Sequence, residues 1–146
     1  MKDLRRLIAS YLFCGLVFLT LDAAWLSLMG ERLYRAQLGP VLAAAPRFGP
    51  AVAFYLIYLA GLVGFCVTPA LATDRPRGAF ARGGFFGIVA YATYDLTNQA
   101  TLVSWPMDIT AADLVWGGFA SAVSAGAAAL IVHRWQVGAR GRIGRL

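Results

Sequence analysis

The stretch LIASYLFCGLVFLTLDAAWLSLM, residues 7–29, decides how this chain is read. It is almost unbroken apolar sequence with one carboxylate, Asp22, set inside it. About 20 apolar residues cross a ~30 Å hydrocarbon core at 1.5 Å per residue, so the stretch can span a bilayer as a helix. A carboxyl at that depth costs roughly 2.5–3.5 kcal/mol even on the lenient insertion scale, and such groups usually face a bundle interior or a watery cavity. The apolar run speaks for the fold, and the residue that interrupts it speaks for a site.

Three further stretches match the first: Pro50–Ala72, Phe80–Val103 and Ala111–Val132, so that all four are 22 to 24 residues long. Of the 146 residues, 60% are hydrophobic and only 14% charged, against about a quarter charged in an ordinary soluble domain. A transmembrane barrel would show ~10-residue segments of alternating polarity, which are absent here. The pattern predicts an all-α integral membrane protein: a four-transmembrane-helix bundle forming one domain over residues 1–146, with helices at about 7–29, 50–72, 80–103 and 111–132.

Orientation follows from the basic residues. With a cytoplasmic N-terminus, Lys2, Arg5, Arg6, Arg75, Arg77, Arg82, Arg134, Arg140, Arg142 and Arg145 lie on the cytoplasmic side and only Arg32, Arg35 and Arg47 lie outside, which predicts both termini cytoplasmic. This bias accounts for most of the net charge of +6, so no nucleic-acid partner is expected, and the basic tail Arg134–Arg145 suits anionic lipid headgroups instead. The positive Lys2, Arg5 and Arg6 resemble a signal-peptide n-region, but the apolar run that follows exceeds the ~7–15 residues of a signal h-region, so a retained first helix is expected. Cys14 and Cys66 lie inside apolar runs with no ligand spacing, and the single histidine, His133, cannot build a multi-histidine centre. No cofactor or metal is expected.

The longest connection, Gly30–Gly49, carries Leu33, Tyr34, Gln37 and Leu38 at amphipathic spacing, which predicts a short helix lying flat on the outer surface and ended by Gly39-Pro40. The segment Asp74-Arg75-Pro76-Arg77-Gly78 has turn chemistry. Between the third and fourth helices, Trp105 takes an aromatic-belt position and Thr110 is placed to cap the next helix with Asp113 in a capping-box-like arrangement. Gly83 and Gly87, Gly117 with Ser121, and Ala120, Ser124 and Ala128 mark expected helix contacts.

The third helix departs most from simple spanning. Tyr91, Asp95 and Asn98 follow one another by four and three residues, and Tyr94, Asn98, Thr101 and Trp105 continue the adjoining stripe, giving one broad polar and aromatic face. Asp22 lies seven residues before the expected end of helix one and Asp95 eight before that of helix three, both roughly 10–12 Å beneath the outer boundary. Asp113 enters from the outer end of the fourth helix, and Trp25 and Trp116 each stand one turn beyond an aspartate. The expected ligand or proton site is therefore Asp22, Trp25, Tyr91, Tyr94, Asp95, Asn98, Thr101, Trp105, Asp113 and Trp116.

At these residues the chain resembles an uncharacterised family of small bacterial predicted membrane proteins, a domain of unknown function. The resemblance runs over Leu21-Asp22-Ala23-Ala24-Trp25-Leu26, Tyr34, Leu38-Gly39-Pro40, Phe54-Tyr55 and Tyr58. Its most specific part is Tyr91-Ala92-Thr93-Tyr94-Asp95-Leu96-Thr97-Asn98-Gln99-Ala100-Thr101-Leu102, with Trp105-Pro106, Asp113 and Trp116-Gly117 beyond it. It implies a four-helix bacterial membrane protein and supplies no activity; the expected location is the inner membrane, crossed several times.

Three functions fit these observations. In the first, the protein binds or moves a small ligand or protons, with Asp95 as the protonatable centre, Asp22 its partner, Asn98 and Tyr94 orienting groups and Trp25, Trp105 and Trp116 as walls. Four helices are few for a transport path, which makes a homodimer the expected state. In the second, it is a membrane enzyme acting on a lipid or isoprenoid, with Asp22 and Asp95 as an acid/base pair. In the third, it is a non-catalytic accessory subunit whose polar stripe docks onto another membrane protein. The lipid bilayer is a partner in all three, and a lipid or small-molecule ligand in the first two.

Overall fold

A computed structural model of the chain describes residues 2–39 and 41–143, and all regular structure among them is helical. Of the residues invoked above, Pro40 and Arg145 lie outside the described residues, as do the side chains of Lys2, Arg140 and Arg142. Among the described residues three helices are long and apolar enough to cross a membrane: Asp3–Leu38, Phe48–Ala72 and Met107–Gly138. A fourth, Gly78–Thr101, has 24 residues, about 36 Å at 1.5 Å per residue, but its polar stripe sets its composition apart from the other three.

The first helix, α1, is α-helical over Lys2–Met29, widens into a π-helical segment over Gly30–Arg35 and closes with Ala36–Leu38. The second, α2, is α-helical over Phe48–Leu62, π-helical over Val63–Val67 and α-helical again over Thr68–Ala72. The third, α3, is Gly78–Thr101, and the fourth, α4, is Met107–Ile143. Pro69 explains the π segment of α2, because a proline inside a helix donates no hydrogen bond and crowds the preceding turn, and wider winding just before it opens that turn. Between α2 and α3 the turn is made at Asp74, whose φ of 55° is a left-handed conformation that aspartate tolerates.

Two expectations about the connections are corrected. Residues 30–38 do not lie flat as a separate surface helix; they prolong α1, with Leu38 buried and Leu33 and Tyr34 half-buried, because their apolar side finds protein to pack on. Nor does Thr110 cap α4. The helix starts at Met107, where the Pro106 carbonyl accepts from the N–H groups of Ile109 (3.2 Å) and Thr110 (3.5 Å), so Thr110 already stands inside the first turn. Its hydroxyl accepts instead from Trp105 Nε1 at 3.1 Å, and Asp113 is left free of any capping task.

The most extensive packing is between α3 and α4, followed by α1 against α4. Glycines make it close: Gly83 faces Ser121 and Ala125, Gly84 faces Gly118 and Ala122, and Gly87 faces Gly117 and Ser121, so a Cβ at Gly83 or Gly87 would run into a carbonyl oxygen of α4. Small residues let helices approach in this way where the lipid tails supply no hydrophobic drive to pack them. Each step of four along α3 from Gly83 to Gly87 matches a step of four back along α4, and one turn further on Tyr91 lies against Gly117. Phe18, Leu62, Val63 and Val67 fill the core against Ala120, Ala125, Ala128 and Val132, with Cys14 and Cys66 buried among them as free thiols. Leu12, Leu16, Phe85 and Val115 stay exposed on the outside, as lipid-facing side chains do. The half of α2 nearest the 39–47 and 102–106 connections, the upper end of the bundle, stands off from α3, leaving Phe48 and Ile57 80% and 73% exposed.

Candidate functional site

The site begins with a spacing shared by two helices. Asp22 and Trp25 on α1, and Asp113 and Trp116 on α4, each form Asp-x-x-Trp, and residues three apart share a helix face. Trp116 meets the aspartate of α1, while Trp25 is joined to that of α4 through Tyr34. The indoles of Trp25 and Trp116 stack with centroids 4.5 Å apart and planes 8° from parallel. Trp116 Nε1 reaches towards Asp22 Oδ1 at 3.5 Å, and Trp25 Nε1 donates to the Tyr34 hydroxyl at 2.8 Å, which donates in turn to Asp113 Oδ1. Asp22 Oδ2 accepts from the Tyr55 hydroxyl of α2 at 2.5 Å. One path, Tyr55–Asp22–Trp116–Trp25–Tyr34–Asp113, thus ties α2, α1 and α4 together around two buried carboxyls.

Asp95 is different. It is fully buried, and no group lies within hydrogen-bonding distance of either of its carboxyl oxygens. Asp113 is the charged neighbour common to Asp22 and Asp95. No hydrogen bond joins Asp22 to Asp95, since neither oxygen of Asp95 has a partner. Nor do the three acids gather into a metal-ligand cluster among the described residues.

No basic side chain answers these charges. The ion-pair contacts among the described residues are Arg35 with Glu31 at 2.8 Å and His133 with Asp74 at 3.3 Å, both elsewhere. Asp22 and Asp113 are held by neutral donors only, and Asp95 by none.

The remaining expected residues divide. Tyr91 lies over Gly117 and meets Tyr58 edge-on at 6.4 Å, beside the acids. Tyr94, 61% exposed, meets Trp105 edge-on at 5.6 Å and forms a rim at the upper end. Asn98 is half-buried on the same helix. Thr101 is exposed, and its hydroxyl donates back to the Thr97 carbonyl at 2.7 Å, so it is spent within its own helix. Where α2 stands off from α3 a groove of about 650 Å³ opens, walled by Phe54, Tyr58, Tyr91, Tyr94 and Thr97, with Asp113 its one charged group.

Four contributors were not among the expected site residues: Tyr34, Tyr55, Phe54 and Tyr58. Tyr55 stands on the same side of α2 as Tyr58, three residues on, and Tyr58 is buried and bonded to Ser121 at 2.7 Å, so the tyrosine spacing was the available signal. Tyr34, like Phe54, Tyr55 and Tyr58, was singled out by the family resemblance, but helical spacing did not join it to the acids because it lay beyond the expected end of its helix.

No curated protein and no solved structure matches the chain. A family model matches residues 7–130, a span that takes in Asp22, Tyr34, Tyr55, Asp95, Asp113 and both stacked tryptophans, and the chain belongs to that family, described as Predicted membrane protein (DUF2177).

Proposed function

We propose that the protein binds a small ligand or protons at this acidic site, in the outer half of the bilayer. The observation that carries the reading is the missing counter-charge: three buried carboxyls in an apolar bundle, none paired with a base. Buried charges without partners are too costly to keep, so a proton or a bound cation supplies what the protein does not. Hydrophobic carbodiimides couple to protonated carboxyls inside membranes. Treatment of the protein in vesicles is expected to label Asp113, where the groove gives the reagent access, and Asp113→Asn is expected to abolish that label. Absence of adducts on Asp22, Asp95 and Asp113 from mildly acid to neutral pH would falsify the reading.

The same proposal holds four spans, α3 included, with both termini cytoplasmic in a bacterial inner membrane. Its support is the ten-to-three distribution of Lys and Arg between the two sides and the length of α3. With Cys14 and Cys66 replaced by alanine, a cysteine at Ala44 is expected to react with an impermeant maleimide on intact cells, and one at Arg75 only after lysis. The reverse pattern overturns the orientation, and reaction of both from one side removes a span.

A further inference from the structure

We infer that the groove between α2 and α3 takes a membrane-borne amphiphile with one hydrocarbon chain and an ammonium head, the head at Asp113 and the chain along the α2–α3 seam. The inference rests on the acidic-site reading above and names its ligand class.

Two grooves meet here. The one at Asp113 shares Phe54 and Tyr58 with a second, also about 650 Å³, which continues down the seam past Ile57, Gly61, Gly64 and Phe86 with almost no polar surface. Measured along α2 from Phe54 to Phe65, the joined trough is eleven residues long, about 16 Å, which is half of a ~30 Å hydrocarbon core and so the depth of one leaflet. Its polar end lies towards the upper end of the bundle and its apolar end towards the middle, the same direction in which a lipid stands in its leaflet. Because the trough opens sideways where α2 stands off from α3, such a molecule can enter from the bilayer without turning over.

The chemistry of the polar end chooses the head. Asp113 is the one charged residue lining either groove, and no Lys or Arg lines them. The Thr93 and Thr97 hydroxyls donate to carbonyls of their own helix, which leaves lone pairs and no protons facing the groove. Tyr58 is committed to Ser121. The Tyr91 and Tyr94 hydroxyls can serve a head of either kind, so charge decides: a cationic head is matched by Asp113, and an anionic phosphate is repelled.

The test uses the full chain in a neutral detergent, with hexadecylamine, butylamine, hexadecanol and hexadecyl phosphate as probes, and reads the concentration of each that halves carbodiimide labelling of Asp113. Hexadecylamine is expected to protect at least tenfold more strongly than butylamine, hexadecanol or hexadecyl phosphate. Gly64→Phe fills the apolar trough at a position where an added Cβ meets nothing within 4 Å, so the fold should be retained. That variant is expected to lose tenfold or more of the hexadecylamine protection and none of the butylamine protection. Ile57→Trp, at a 73% exposed position, does the same from the other side should the first variant not fold. Equal protection by both amines, or by the phosphate, or full hexadecylamine protection in both variants, overturns the amphiphile while the acidic site stands. Labelling of Asp113 that no amine alters also overturns it, and loss of all labelling removes the underlying reading as well.

Discussion

Replacing Gly87 with leucine is expected to leave almost no folded protein. A Cβ there would already collide with the Gly117 carbonyl and the Ser121 hydroxyl, which are backbone and a buried, hydrogen-bonded side chain, so neither can give way. Overpacking normally costs about 1–3 kcal/mol, and only a short set of mechanisms exceeds about 4 kcal/mol. Here α3 and α4 would have to part along the largest interface in the molecule, which belongs to the second group. Gly84→Ala is the control: its added Cβ would stand 3.5 Å from the Ala122 methyl, an ordinary contact, and alanine favours a helix over glycine by about 1 kcal/mol. Recovery of monodisperse protein in a neutral detergent should collapse for Gly87→Leu and hold or rise for Gly84→Ala. Equal recovery of the two would mean that the glycine ladder does not hold α3 to α4.

The ladder itself was legible, because Gly83, Gly87, Gly117 and Ser121 stand four apart and that spacing has one common use in a membrane. The path around Asp22 and Asp113 was only half legible. The repeated Asp-x-x-Trp could be read from the sequence, yet Tyr34 could not be added to it. In an unbroken α-helix nine residues turn the chain through about 900°, which puts positions 25 and 34 on opposite faces. The wider winding of Gly30–Arg35 turns each residue by less and brings Tyr34 round to Trp25. Nothing in the composition of Gly-Glu-Arg-Leu-Tyr-Arg announces that winding.

Hydropathy marks where a chain meets lipid, not where its helix stops. Asp22 was placed seven residues from the end of helix one, but α1 runs on to Leu38, sixteen residues away and about 24 Å at 1.5 Å each. Asp95 is six from the end of α3 at Thr101, about 9 Å. Helix ends therefore do not measure the depth of either acid, and Asp113, placed by the sequence in a capping arrangement, is the charged neighbour of both and lines the groove.

The three aspartates should answer truncation with opposite signs. In Asp95→Ala a fully buried carboxyl with no partner at either oxygen is removed. An unsatisfied buried polar group costs about 1–3 kcal/mol, and alanine is also the better helix former, so the variant is expected to be more stable by about that amount despite the small void it leaves. Asp113→Ala takes the acceptor from the Tyr34 hydroxyl, and Asp22→Ala takes it from Tyr55. Each leaves a half-buried donor behind and is expected to lose about 1–3 kcal/mol. Thermal unfolding of the three variants in one detergent would show Asp95→Ala melting several degrees above the parent and the other two below it. Should Asp95→Ala melt as low as they do, the carboxyl has a stabilising partner in the membrane, and its burial is a packing matter. If it melts higher while ligand or proton binding is lost, the chain keeps a destabilising acid at the cost of its own stability, the trade that functional sites make.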